Sequence, residues 1–194
     1  MEKKGLPSWV LPAGIAAIIL IFLGMWVIGI LNTEIKLDLQ AQGAKGNIEV
    51  EYQRRFDLIP QLVNTVSGSA NFEQELLTDV VKLRTQWQNQ TEFTQRVETA
   101  NEFETALSKL IVSFEAYPEI KTIPLFQDLL VQLEGTENRI GVARTRYNET
   151  AGEYNLFIRR IPNNFFFAGK QAKPFWESPE GAENPVEVPT DFTQ

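Results

Sequence analysis

The sequence predicts an all-α fold: an N-terminal transmembrane helix, then an elongated antiparallel helical bundle, then a disordered acidic C-terminal tail. Three observations carry this. Residues 10–31, VLPAGIAAIILIFLGMWVIGIL, contain no charge. From Asn32 to Ile161, apolar side chains recur at steps of three and four, with no strand-like alternation. From Lys173 onward the pattern gives way to prolines and acids, with Lys173 set against Glu177, Glu180, Glu183, Glu187 and Asp191. The chain therefore divides into a short flank over 1–9, a signal anchor over 10–31, a bundle over 32–170 and a tail over 171–194.

A length of 194 residues fits one domain with appendages. The chain has no histidine and no cysteine, which excludes a Ser-His-Asp triad, a thiolate nucleophile and every His- or Cys-ligated metal site. Eighteen Lys and Arg against 25 Asp and Glu leave a net charge of −7, so there is no basic nucleic-acid footprint. The expectation is a protein without catalysis, without a cofactor and without a nucleic-acid partner.

A hydrocarbon core needs about 20 apolar residues as a helix, and the first run has that length. A signal peptide's apolar region is shorter and precedes a small-x-small cleavage site, for which Ala41-Gln42-Gly43 is a poor and distant candidate. The run is therefore read as an uncleaved, single-pass anchor in the cell (inner) membrane. Trp9 and Trp26 suit the two interfaces, although Trp26 lies inside the run. Lys3 and Lys4 precede the run, and Lys36 and Lys45 follow it. That tie is broken by the α-amino group, which places the N-terminus in the cytoplasm and the body on the extracytoplasmic side.

Ile48, Tyr52, Arg55, Ile59, Leu62 and Val66 form a heptad seam with one polar member. Gly43 and Gly46 soften the stretch before it. At Pro60 either the helix kinks, or Asp57 caps a new helix with the proline in its first turn. Ser67-Gly68-Ser69 is a stop. Asn71 then caps a second helix whose apolar face is Phe72, Leu76, Val80, Leu83 and Trp87. A third carries Phe93, Val97, Ala100, Phe103, Leu107, Leu110 and Phe114, and ends at Tyr117-Pro118. The fourth, capped by Thr122, carries Phe126, Leu129, Leu133, Thr136, Ile140, Ala143, Tyr147, Thr150, Tyr154, Phe157 and Ile161 in 3–4 alternation. Its length would be about 58 Å. Gly135, Gly141 and Gly152 inside it suggest either close approach by a neighbouring backbone or flexible exposed spots.

Arg54, Arg55 and Asp57 on the first long helix can meet Glu134, Glu137, Asn138 and Arg139 on the last if the two pack antiparallel. Arginine with carboxylates makes a hydrogen-bonded network that either fixes helix register or offers a polar contact site. A carboxylate-only metal site at Asp128, Glu134 and Glu137 is the remoter reading. Phe165-Phe166-Phe167 either packs over the bundle end or docks on the bilayer or a neighbouring subunit. Phe175 and Trp176 are candidates to pin the tail to the bundle.

Three stretches resemble the bacterial LemA family: EYQRRFDLIPQLVNTV (Glu51–Val66), EGTENRIGVARTRYN (Glu134–Asn148), and YNLFIRRIPNN (Tyr154–Asn164) running on into KPFWE (Lys173–Glu177). The resemblance covers about Asn32 to Trp176. It departs at Ala41–Gly46, where small residues stand in place of the bulkier ones usual in the family. It implies a single-pass membrane protein with a helical-bundle body, no established enzymatic activity, and a setting near membrane metalloproteases. The function expected is a membrane-anchored helical scaffold of the bacterial envelope that self-associates as a homo-oligomer or organises membrane proteins on the lipid bilayer. The alternative is an accessory or substrate-presenting factor for a membrane metalloprotease or other envelope enzyme.

Overall fold

One helix begins in the uncharged run and continues well past its end. The computed structural model describes residues 9–67 and 74–177, and in it α1 spans Val10–Val66, 57 residues without a break. Then follow α2 (Gln74–Asn89), α3 (Phe93–Ser113), a 3-10 turn (Phe114–Ala116), α4 (Pro118–Lys121), α5 (Pro124–Arg159) and α6 (Asn163–Phe166). The chain is all-α, with no strand among the described residues. Lys3, Lys4, Gly68, Ser69, the Asn71 cap, Phe72 and the tail from residue 178 lie outside the described residues.

Helix α1 runs through Gly43, Gly46 and Pro60. Asp57 caps nothing. It sits within the helix and accepts a hydrogen bond from Gln53 Nε2 at 2.7 Å, one turn earlier. Nor does Thr122 cap α5, because its hydroxyl donates back to the Glu119 carbonyl at 2.8 Å. Pro124 nevertheless opens α5, where a proline's missing N–H costs little. The third helix stops at Ser113, just ahead of the expected boundary. The residues around Pro118 form the 3-10 turn and α4 instead of a plain loop.

The chain divides into two compact units, one of Met1–Ala44 with Glu149–Lys173, the other of Lys45–Asn148 with Pro174–Gln194. In the first, Ile30, Tyr154, Phe157, Ile158 and Phe167 form the core, with Leu37 against it. Glu34 meets Tyr154 while Ile30 joins Phe157 and Ile158, so the two helix segments run antiparallel here. Most of the run before Ile30 is exposed large apolar surface, including Ile15, Ile19, Phe22 and Trp26. Among the described helices α1 is the one long and apolar enough to cross a membrane.

In the second unit Tyr52, Phe56, Ile59 and Leu62 of α1 are fully buried with Phe103 and Leu107 of α3 and Phe126 and Leu129 of α5. Phe56 meets Phe103 edge to face at 4.7 Å, and Phe114 meets Phe126 likewise at 4.7 Å. Tyr52 pairs with Arg144 and Arg55 with Glu137, so α1 and α5 are antiparallel in this unit also. The first-helix seam, including Arg55, is buried throughout. On α2 the inward residue is Leu77 where Leu76 was expected.

On α5 the expected seam loses step. Beyond Ile140 the expected Tyr147, Tyr154 and Phe157 are buried, but Arg144, Ala151, Asn155 and Ile158 are buried too, and Ala143, Thr150 and Ile161 are not. Ile161 is 79% exposed. A 3–4 alternation assumes 3.5 residues per turn, whereas a straight helix has 3.6, so the inward face drifts forward along a helix this long. The α5 glycines also read differently. At Gly135 an added Cβ would meet only Arg139 Nη1 of its own helix, at 3.5 Å, and at Gly141 nothing within 4 Å. Neither accommodates a neighbouring backbone. Gly141→Ala is therefore expected to stabilise the protein by about 1 kcal/mol through helix propensity, raising the urea midpoint; a lower midpoint would show hidden crowding there.

Candidate functional site: a buried charged network

The second unit encloses four charged or polar side chains from three helices. Tyr52 and Arg55 come from α1, Glu104 from α3 and Arg144 from α5. The Tyr52 hydroxyl donates to Glu104 Oε1 at 2.6 Å. Arg144 Nη2 donates to the same carboxylate oxygen at 2.6 Å and also to the Tyr52 hydroxyl. Arg55 Nη1 lies 3.6 Å from Glu104 and closer still to Glu137. Glu104 is thus the hub, set between two arginines whose side chains are only 6% and 10% exposed.

Aromatic rings wall the cluster off from water. Trp176 stacks on Tyr52 at 5.6 Å, and the Arg144 guanidinium lies 5.4 Å from the Trp176 ring centre. Trp87 covers Tyr52 at 5.8 Å and Phe56 at 5.0 Å. Asn148 clasps the Trp176 backbone twice: its Nδ2 donates to the carbonyl at 2.9 Å, and its Oδ1 accepts from the N–H at 2.7 Å. Tyr147 adds a bond to the Pro174 carbonyl at 2.8 Å. The start of the tail is therefore held in place by Trp176, which is buried, while Phe175 is half exposed.

Burial pushes the Tyr52 phenol well above its ordinary range, and the Glu104 charge adds to the shift. Burial alone would lower Arg144, but Tyr52 and Glu104 outweigh it and leave the guanidinium raised. Near neutral pH Tyr52 is therefore a neutral phenol and Arg144 a cation. Burial also holds Tyr147 at about 12 and raises Tyr154, whose hydroxyl bonds Glu34. A group raised on folding contributes stability below its unfolded pKa and loses it as pH rises through the folded one. In an alkaline titration followed by tyrosinate absorbance, Tyr52, Tyr147 and Tyr154 are expected to lag beyond pH ~10 and ionise as the fold opens. Smooth titration of all the tyrosines near that pH would contradict the burial.

Of the residues singled out in the sequence, the structure joins some and separates others. Arg55 with Glu137 spans α1 and α5. Arg54 and Arg139 both reach Glu51, at 2.6 and 3.0 Å, forming a second, more exposed bridge between the same helices. Asp57, Glu134 and Asn138 point outward. Phe167 is in the core of the first unit, whereas Phe165 and Phe166 are 77% and 45% exposed. Sequence reasoning missed Glu51, Glu104 and Arg144. Arg144 was within reach, since a step of four from Ile140 lands on it. Glu104 carries no comparable signal, because it adjoins the α3 stripe as any flanking acid does. No cluster of three or more acids suited to a metal ion occurs among the described residues.

In the first unit, Lys170 reaches Glu34 at 3.2 Å and Lys173 reaches Asp38 at 2.6 Å. The Lys173 bond holds the Asp38 carboxyl below its ordinary value despite partial burial. Asn155 clasps the Lys173 backbone with the same two bonds that Asn148 gives Trp176, at 2.8 and 2.7 Å.

Residues 44–190 match the LemA family. The chain is 26% identical over 192 residues to magnetosome proteins MamQ 1 and MamQ 2 of Paramagnetospirillum magneticum (strain ATCC 700264 / AMB-1), covering 84% of this chain and 70% of each relative. It is 25% identical over 120 residues to protein LemA of Metamycoplasma hominis, covering 61% of this chain and 55% of that one.

Proposed function

Because the chain belongs to the LemA family, we propose that it is a membrane-anchored helical scaffold of the bacterial envelope that works through contact rather than catalysis. One observation carries the reading. The single described helix long and apolar enough to cross a membrane, α1, is also the helix that supplies Ile48 to Val66 to the core of the second unit. Anchor and body share one element, so the packed body stays at the bilayer. Copies confined to one membrane meet at raised effective concentration, which turns weak lateral contacts into assembly. The internal use of Arg55, Glu104 and Arg144 supports the same view, since these charges are engaged with one another inside the body.

The body is placed on the extracytoplasmic side, as the lysine and α-amino balance favours, so protease added to spheroplasts should digest it. Self-association is tested by cross-linking. The chain has no cysteine, and Val131 and Val142 of α5 are 68% and 66% exposed. Val131→Cys and Val142→Cys in native membranes are expected to give homo-oligomer ladders. A single heterologous band would favour an accessory factor for a membrane metalloprotease or other enzyme. Uncross-linked monomer throughout would overturn the scaffold.

A further inference from the structure

The turn that follows α5 carries more exposed apolar surface than a water-facing turn needs. Asn163 Nδ2 donates to the Phe157 carbonyl at 3.0 Å, and Phe167 is buried beside Ile30, Tyr154, Phe157 and Ile158. These contacts fasten α6 to α1 near the end of the uncharged run. Outward from it point Ile161, Phe165 and Phe166, at 79%, 77% and 45% exposure. Burying a side chain of this size is worth about 1.5–3 kcal/mol, so three left in water within six residues is a large unclaimed term.

Two observations say what covers them. The first is continuity with the membrane helix. Phe166 meets Trp26 edge to face, with ring centres 6.2 Å apart. Trp26 lies five residues inside the run that ends at Leu31, about 7 Å by helical rise. Any bilayer that encloses the run therefore reaches Phe166, and Phe165 is its neighbour in the chain. The second is charge. Arg159 and Arg160 are exposed at the same turn, and Arg160 rests over the Phe157 ring at 4.7 Å. The nearby acids Glu34 and Asp38 are engaged by Lys170 and Lys173. Glu149 and Glu153, the other acids of this unit's α5 segment, lie one to three turns back along the helix. In a chain of net charge −7, the part beside the membrane run is locally basic.

We propose that residues 161–166 form a lipid-inserting foot. Ile161, Phe165 and Phe166 enter the interfacial layer of the bilayer beside Trp26, and Arg159 and Arg160 hold the phosphates of anionic headgroups. Aromatic rings suit that layer, and a basic residue near an anionic surface gains about 1 kcal/mol. The foot gives the body a second hold on the membrane, next to its anchor. This rests on α1 spanning the bilayer, and the test separates the two.

The full chain, which has no native cysteine, is reconstituted with one nitroxide at Phe165→Cys, Phe22→Cys or Val142→Cys. Vesicles are phosphatidylcholine with phosphatidylglycerol, or phosphatidylcholine alone. Collisions with oxygen and with a water-soluble nickel chelate report depth. In mixed vesicles the label at 165 is expected to lose most of the nickel access that the label at 142 keeps, though less completely than the deeper label at 22. Nickel access at 165 equal to that at 142, with none at 22, would overturn the foot and leave the anchor standing. Access at both would overturn the anchor itself. A label at 165 shielded from both reagents, with dipolar broadening between copies, would assign the face to a second copy and overturn lipid insertion. Arg159→Gln with Arg160→Gln is expected to move the 165 label outward in phosphatidylglycerol vesicles but not in phosphatidylcholine; no difference between the two would overturn the headgroup contact.

Discussion

Glu104→Ala is expected to destabilise the second unit by about 3–5 kcal/mol, the range for removing one partner of a buried ion pair. The substitution deletes the hub that neutralises Arg144 and Arg55, whose side chains are 10% and 6% exposed, and strips the Tyr52 hydroxyl of its acceptor. Arg55 keeps Glu137, whose side chain is half exposed; Arg144 keeps the Tyr52 oxygen and the Trp176 ring but no carboxylate among the contacts described above. The loss would appear as a lower urea midpoint in the fluorescence of Trp87 and Trp176, which flank the network. The sharper check is the combination Glu104→Leu with Arg144→Met. If the penalty is uncompensated charge rather than lost packing, the pair should unfold later than Glu104→Ala alone. An additive loss would assign the penalty to lost packing rather than to uncompensated charge; a Glu104→Ala midpoint equal to that of the parent would show that the network contributes little to stability.

Trp176→Ala should cost a similar amount, about 3–5 kcal/mol, for a different reason. The indole is 4% exposed and touches Tyr52 and Phe93, both at 5.6 Å. Removing it leaves a cavity and admits water to Arg144 and Tyr52. Tyrosinate formation should then begin at lower pH than in the parent, because desolvation is the largest cause of the Tyr52 shift. Trp176→Phe separates stacking from hydrogen bonding. The indole Nε1 is buried with no hydrogen-bond partner among the described residues, so phenylalanine should restore most of the stability. If Trp176→Phe were as damaging as Trp176→Ala, stacking would not be what the ring contributes.

Both predictions concern residues whose importance local pattern could not fully reveal. Periodicity reports which face of a helix turns inward, and for α1 that was sufficient. Ile48, Tyr52, Arg55, Ile59, Leu62 and Val66 are all buried, the polar member included. On α5 the same rule held as far as Ile140 and then missed at Ala143, Thr150 and Ile161, since the assumed repeat is shorter than the real helical turn. That slip exchanged Ala143 for Arg144 and hid the second buried arginine.

The amino-acid sequence by itself determined the class of the molecule. An uncharged run long enough for a bilayer, long apolar seams and the absence of histidine and cysteine are properties of single segments and of composition, and they need no partner to be read. Only the tertiary structure decided which acid meets which arginine. Glu104 lies 40 residues from Arg144 and 49 from Arg55, and their meeting depends on how three helices set their register against one another through the summed shapes of Phe56, Phe103 and their neighbours. It likewise divided the phenylalanine triplet, turning Phe167 into the core and leaving Phe165 and Phe166 outside. Three consecutive identical side chains carry no information about direction until a turn fixes their backbone.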